Sequence, residues 1–92
     1  MEQLKASTAG TLESSDVYIV LEPNSDSSVN IKLDSVVEKQ FGDEIRKLVY
    51  ATLEKYNVKG INLDITDKGA LDCTILARLT TVLKRAGVPI EQ

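Results

Sequence analysis

Between Val29 and Tyr56 the apolar residues change their spacing, and that change constrains the chain more than any other feature. Val29, Ile31 and Leu33 alternate with Asn30, Lys32 and Asp34, the period of a strand with one buried face. Val37, Phe41, Ile45, Leu48, Val49, Leu53 and Tyr56 then recur every three or four residues, the stripe of an amphipathic helix. A strand predicted over Ser28 to Asp34 therefore passes directly into a helix, with Ser35 and Glu38 at capping-box spacing where they join. Lys39, Asp43 and Lys47 occupy its outer face, and Asn57 follows the last apolar residue as a stop.

The flanking segments complete a β-β-α-β-α order. Val17 to Leu21 is β-branched and apolar on both faces, which predicts a central strand within Thr11 to Glu22. Pro23 to Ser27 is rich in turn formers, so strands one and two read as a hairpin. Ile61, Leu63 and Ile65 share one face of a third strand, Val58 to Thr66. Asp67-Lys68-Gly69 turns the chain into a second helix, with Ala70, Leu71, Ile75, Leu76, Leu79, Val82 and Leu83 as its stripe and Gly87 as its end. A right-handed crossover through helix one makes strands two and three parallel. With strand one between them, the expectation is an α+β two-layer sandwich: a three-stranded sheet of order 2-1-3 with two helices on one face. One domain spans 9–87, between a flexible N-terminal tail at 1–8 and a C-terminal tail at 88–92.

Composition removes several function classes. The formal charge is -3 and aromatic content is 4%, with no basic run, which disfavours nucleic-acid binding. There is no apolar segment of membrane-spanning length and no signal-like N-terminus, so no membrane association and a cytoplasmic location are expected. The chain has no histidine and a single cysteine, Cys73, which argues against a metal centre and an internal disulfide and places Cys73 in the core. No acid-base pair or phosphate-binding loop is apparent, so no catalytic residue is assigned.

Ala9 to Asp16, AGTLESSD, sets small and hydroxyl residues ahead of the first strand and presents Ser14 and Ser15. Without a histidine to activate either hydroxyl, another protein must act on it. Strand parity from Val17, Ile19 and Leu21 points Ser14 outward and Ser15 inward. In the inferred topology the start of strand one lies near the starts of both helices, whose free amides and dipoles favour a phosphate beside Ser14. Lys68 and Gly69 are candidate contacts to such a phosphate, whereas Glu13 and Asp16 are either solubilising charges or recognition points for a basic partner. Asp34-Ser35-Val36, with Phe41 to Ile45 beyond, resembles the serine motif of the common four-helix acyl carriers, but only over a dozen residues. The alternating segment before Ser35 instead reads it as a helix cap. Tyr18 and Val20, on the sheet face without helices, form a candidate docking patch.

AGTLESSD, VEKQFGD at Val37 to Asp43 and DKGALDC at Asp67 to Cys73, in that order, closely resemble the acyl carrier proteins, or gamma subunits, of citrate lyase, with the similarity running from Ala9 to Leu83. The resemblance implies a non-catalytic carrier. Its prosthetic group would be 2'-(5''-phosphoribosyl)-3'-dephospho-CoA, joined by a phosphodiester to the serine after Leu-Glu, which is Ser14 here, by a dedicated prosthetic-group transferase. Glu13, Ser15, Asp16, Lys68 and Gly69 are possible contacts to it. The residue after the modified serine is commonly glycine in the family; here it is Ser15, a second acceptor. The implied partners are the alpha subunit, which exchanges acetyl for citrate on the thioester, and the beta subunit, which releases oxaloacetate. Tethering makes each encounter intramolecular. Two other readings are an interaction module without a cofactor and a phosphopantetheine carrier modified at Ser35.

Overall fold

The computed structural model describes residues 4–90. Strands β1 (Ser7–Gly10), β2 (Val17–Pro23) and β3 (Val29–Ser35) precede helix α1 (Glu38–Lys55), strand β4 (Ile61–Asp67) and helix α2 (Asp72–Ala86). The strands form one sheet of order β1-β2-β4-β3. Val17, Ile19 and Leu21 of β2 and Ile61, Leu63 and Ile65 of β4 turn one face towards the helices and are buried there, as the two-residue period requires. Ile75, Leu79, Val82 and Leu83 of α2 and Ile45, Val49 and Leu53 of α1 cover them. Helix α2 lies over β1 and β2, and α1 lies against β3 and α2. The architecture is the expected α+β pair of layers, with both helices on one face. No helix among the described residues is long and apolar enough to cross a membrane.

The sheet differs from expectation in strand number and order: it has four strands, and the expected 2-1-3 order is not found. β3 runs parallel to β4, with Val29 opposite Ile61 and Ser35 opposite Asp67. β2 pairs antiparallel with the other edge of β4, with Val17 opposite Asp67 and Pro23 opposite Ile61. The crossover through α1 thus sets β3 directly beside β4, so β2 and β3 form no hairpin. β2 is nonetheless internal, because β1 pairs with its outer edge from Ser7 opposite Leu21 to Gly10 opposite Tyr18. A strand apolar on both faces is thereby paired along both edges.

Several local expectations also change. Of the supposed tail at 1–8, residues 1–3 lie outside the described part, but Ser7 and Thr8 belong to β1. The Lys5 amide donates to the Ala86 carbonyl at 2.9 Å, Ser7 Oγ donates to the Val82 carbonyl at 2.7 Å, and Leu4 packs against the core. At the other end, Gly87 adopts φ 106° and the Val88 amide returns to the Leu83 carbonyl, which buries Val88 instead of leaving it in a tail. The helix stripes are shorter at their starts than periodicity implies. Phe41, Leu71, Leu76 and Cys73 are exposed: Cys73 lies about 200° round α2 from the buried Ile75, Leu76 borders the buried row, and Leu71 precedes the helix.

Candidate functional site

Ser14 lies at the tip of the β1–β2 hairpin. Its loop, residues 11–16, replaces the expected continuation of strand one upstream of Val17. Gly10 lets the hairpin close: it has φ 95°, and a Cβ there would lie 1.8 Å from the Val17 carbonyl oxygen. The Thr11 amide donates to that same oxygen at 3.2 Å. A four-residue turn follows, in which the Asp16 amide donates to the Glu13 carbonyl at 3.2 Å. Ser14 holds the second position and Ser15 the third, where φ is 65°. Both serines are exposed, so parity along a strand does not distinguish them; the turn does. The left-handed backbone at Ser15 is one that glycine would adopt without the steric penalty of a Cβ.

Two backbone bonds fix the loop to the end of β4. The Ser15 amide donates to the Lys68 carbonyl at 2.9 Å, and the Lys68 amide donates to the Asp16 carbonyl at 2.9 Å. Ser14 therefore stands at the same end of the domain as Ser35 and Asp67, and as the N-termini of α1 and α2. Of the expected contacts, Glu13, Ser15, Asp16, Lys68 and Gly69 are all brought to this end, with Glu13 and Lys68 exposed.

Asp16 is occupied within the loop. Arg78 of α2 donates from Nε to Oδ1 at 3.1 Å and from Nη2 to Oδ2 at 3.0 Å. Thr11 Oγ1 donates to Oδ2 at 2.7 Å and the Val17 amide to Oδ1 at 2.8 Å. These bonds, Arg78 foremost, lower the carboxyl pKa to about 2, so the group is charged throughout the neutral range. Its four hydrogen bonds tie the loop to α2. Nothing in the residue pattern pointed to Arg78. A cation three residues after Ile75 and one before Leu79, at the border of an apolar stripe, was its only signal.

Ser35 is differently placed. It ends β3, donates from Oγ to Asp67 Oδ2 at 2.8 Å and accepts from the Val37 amide at 3.1 Å. Asp67 is buried, and its Oδ1 accepts from the Ala70 amide at 2.9 Å, holding the turn into α2. The expected capping box does not form. Helix α1 begins at Glu38, after Val37, because the parallel ladder with β4 keeps Ser35 extended; Glu38 instead pairs with Arg46 at 2.6 Å. Leu12, Val36, Phe41 and Leu71 also lie at this end with about half or more of their surface in solvent, giving the polar loop apolar neighbours.

The family model described as malonate decarboxylase delta subunit, an acyl carrier family, matches residues 4–86. A citrate lyase acyl carrier protein of Yersinia enterocolitica is 50% identical over 86 residues, covering 94% of this chain and 89% of its own length. Among solved structures, a chain of a Pseudomonas malonate decarboxylase hetero-tetramer in complex with malonate superposes with a TM-score of 0.82 at 21% identity, covering 92% of this chain and 89% of that one. The last likeness shows the shared fold. With a family model matching nearly the whole chain and half of its residues identical to a curated carrier, this chain belongs to the acyl carrier protein family of citrate lyase and malonate decarboxylase, as a carrier and not a catalytic subunit.

Proposed function

We propose that this chain is the acyl carrier subunit of a cytoplasmic citrate lyase, with Ser14 as the attachment point of a 2'-(5''-phosphoribosyl)-3'-dephospho-CoA arm. The observation that carries the reading is an exposed serine hydroxyl at the corner of an anchored turn, in a chain 50% identical to a citrate lyase acyl carrier. When attached, the arm supplies a terminal thiol on which acyl groups are held as thioesters. The fit is favourable: the Ser14 hydroxyl takes part in no hydrogen bond among the described residues, and the exposed Lys68 side chain belongs to the residue whose backbone grips the turn. Lys68, Gly69 and the nearby helix N-termini would face a phosphodiester with positive potential.

The rest of the chain serves presentation. The paired strands and the covering helices make a rigid body, and the loop places one residue at its tip. A tethered acyl group meets each active site as an intramolecular reactant, which replaces a search through solution by a local one. The partners on this reading are the alpha transferase and beta lyase subunits, acting in turn as citrate is cleaved to acetate and oxaloacetate, and the prosthetic-group transferase that loads the serine. Citrate is favoured over malonate because the citrate lyase relative shares half its residues, whereas the malonate decarboxylase chain shares 21%.

The test is the intact mass of the protein purified from its native host, with peptide mapping across Ala9 to Asp16. A nucleotide-sized addition bearing a free thiol, mapped to Ser14, is expected. An unmodified chain within an active lyase complex would remove the carrier reading and favour an interaction module docking through the sheet face of Tyr18 and Val20.

A further inference from the structure

The serine loop contains two neighbouring hydroxyls of similar chemistry, and nothing in their exposure separates them. What separates them is the backbone of the turn, which places Ser14 at its second position and gives Ser15 a left-handed conformation. The two bonds to Lys68 hold only the C-terminal side of that turn. The N-terminal side is held through Thr11 Oγ1, which accepts from the Glu13 amide at 3.2 Å and donates at 2.7 Å to the Asp16 carboxylate, and that carboxylate is gripped across 62 residues of sequence by two N–H groups of the Arg78 fork. A bidentate fork fixes direction as well as distance, which a single ammonium does not. The Asp16 side chain is 14% exposed and that of Arg78 41%, so solvent reaches the guanidinium more than the carboxylate it orients.

We propose that Arg78 is a positioning residue which, through Asp16, holds the Glu13 to Asp16 turn so that Ser14 and not Ser15 is presented for modification. This rests on the carrier reading above. In the attachment step, Ser14 Oγ forms a bond to phosphorus of a nucleotide phosphoanhydride donor as the bond from that phosphorus to its pyrophosphate leaving group breaks. The hydroxyl proton passes to the modifying enzyme. Displacement of this kind demands alignment of nucleophile and leaving group, and misplacement by about an ångström costs up to about a hundredfold in rate.

The experiment follows loading of the full-length unmodified chain by the prosthetic-group transferase and the triphosphoribosyl-dephospho-CoA donor, which carries the pyrophosphate that leaves, by intact mass against time and by peptide mapping. Arg78→Gln is expected to lower kcat/KM for loading about tenfold and to divert part of the label to Ser15. Arg78→Lys, which keeps the charge and loses the fork, is expected to fall between Arg78→Gln and the parent. Amide exchange supplies a readout apart from loading: the Ser15 amide should exchange faster in Arg78→Gln while core amides such as Ile19 and Ile65 keep their protection. Should the core also loosen, Asp16→Asn, which is nearly isosteric, takes over the test with the same expected shift towards Ser15. Loading at the parent rate and wholly on Ser14 in Arg78→Gln, or in Asp16→Asn where that variant stands in, would overturn the proposal. If the parent chain takes no label at Ser14 while an authentic citrate lyase carrier is loaded in parallel, the carrier reading falls, and with it the role given to Arg78.

Discussion

Ser14 and Ser35 stand at the same end of the sheet, across Asp67 from one another, and differ in almost everything else. Val17, the residue directly after the serine turn, pairs with Asp67, and Asp67 pairs with Ser35, so three adjacent strands span the distance, roughly 10 Å at the usual strand spacing. Ser35 is built into that frame: its hydroxyl donates to a buried carboxylate and accepts an amide. Ser14 is carried by the frame without belonging to it. A serine saturated with hydrogen bonds stabilises structure, whereas an exposed one on an anchored turn is available for chemistry. Residue type alone does not distinguish the two cases, since each serine directly follows an acidic residue, Glu13 or Asp34.

The largest effect should come from removing each hydroxyl in turn. Ser14→Ala is expected to abolish attachment of the prosthetic group, and Ser35→Ala to leave its rate within about twofold while costing about 1 kcal/mol of stability, the usual loss for one buried hydrogen bond. Intact mass after incubation with the transferase reads the first, and urea unfolding of the unmodified chain reads the second. Loading that persists in Ser14→Ala and vanishes in Ser35→Ala would invert the comparison and move the attachment point to Ser35.

Asp67→Ala sharpens the same contrast from the structural side. Asp67 is 1% exposed and accepts from both Ser35 Oγ and the Ala70 amide. Its loss strands two donors at the junction of three elements and should cost about 2 to 3 kcal/mol, measured by urea unfolding. The substitution also frees the Ser35 hydroxyl. If label remains confined to Ser14, the loop and not the occupancy of Ser35 selects the acceptor; label on Ser35 would show that Asp67 had been excluding it.

Much of this arrangement was legible in the residues, and the parts that were not share a cause. The change from period 2 to period 3.6 marks β3 and α1 because it reports burial directly, and Ile61, Leu63 and Ile65 mark β4 in the same way. β1 escaped notice because Ser-Thr-Ala-Gly is short and small, and becomes a strand only when the free edge of β2 offers its hydrogen bonds. Sheet order could not follow from the number of strands alone, since two orders satisfy a parallel pair of strands two and three. Phe41 and Leu71 continue their stripes in sequence, but periodicity does not reveal where the opposing sheet ends. The site was read from the family motif and the shared end of the elements. Its anchor was missed because no sequence rule connects Asp16 to Arg78 across 62 positions. Local pattern records which face of an element is buried, whereas contacts between distant elements follow from their docking.

The smallest effect tests the turn itself. Ser15 has φ 65°, a conformation that costs a residue bearing a Cβ about 1 to 2 kcal/mol. Glycine relieves that cost but gives the unfolded chain more freedom, which returns roughly 0.5 to 1 kcal/mol. Ser15→Gly should therefore stabilise the protein by about 0.5 kcal/mol, seen as a small rise in the urea midpoint at unchanged slope. It also removes the second acceptor, so loading should map to Ser14 alone and, with the turn preserved, proceed at close to the parent rate. A destabilised Ser15→Gly chain would mean that the serine side chain supports the turn in a way its backbone angle does not show. A stabilised chain that loads more slowly would mean that the Ser15 hydroxyl itself assists its neighbour, and the two adjacent serines would then act as a pair, not as alternatives.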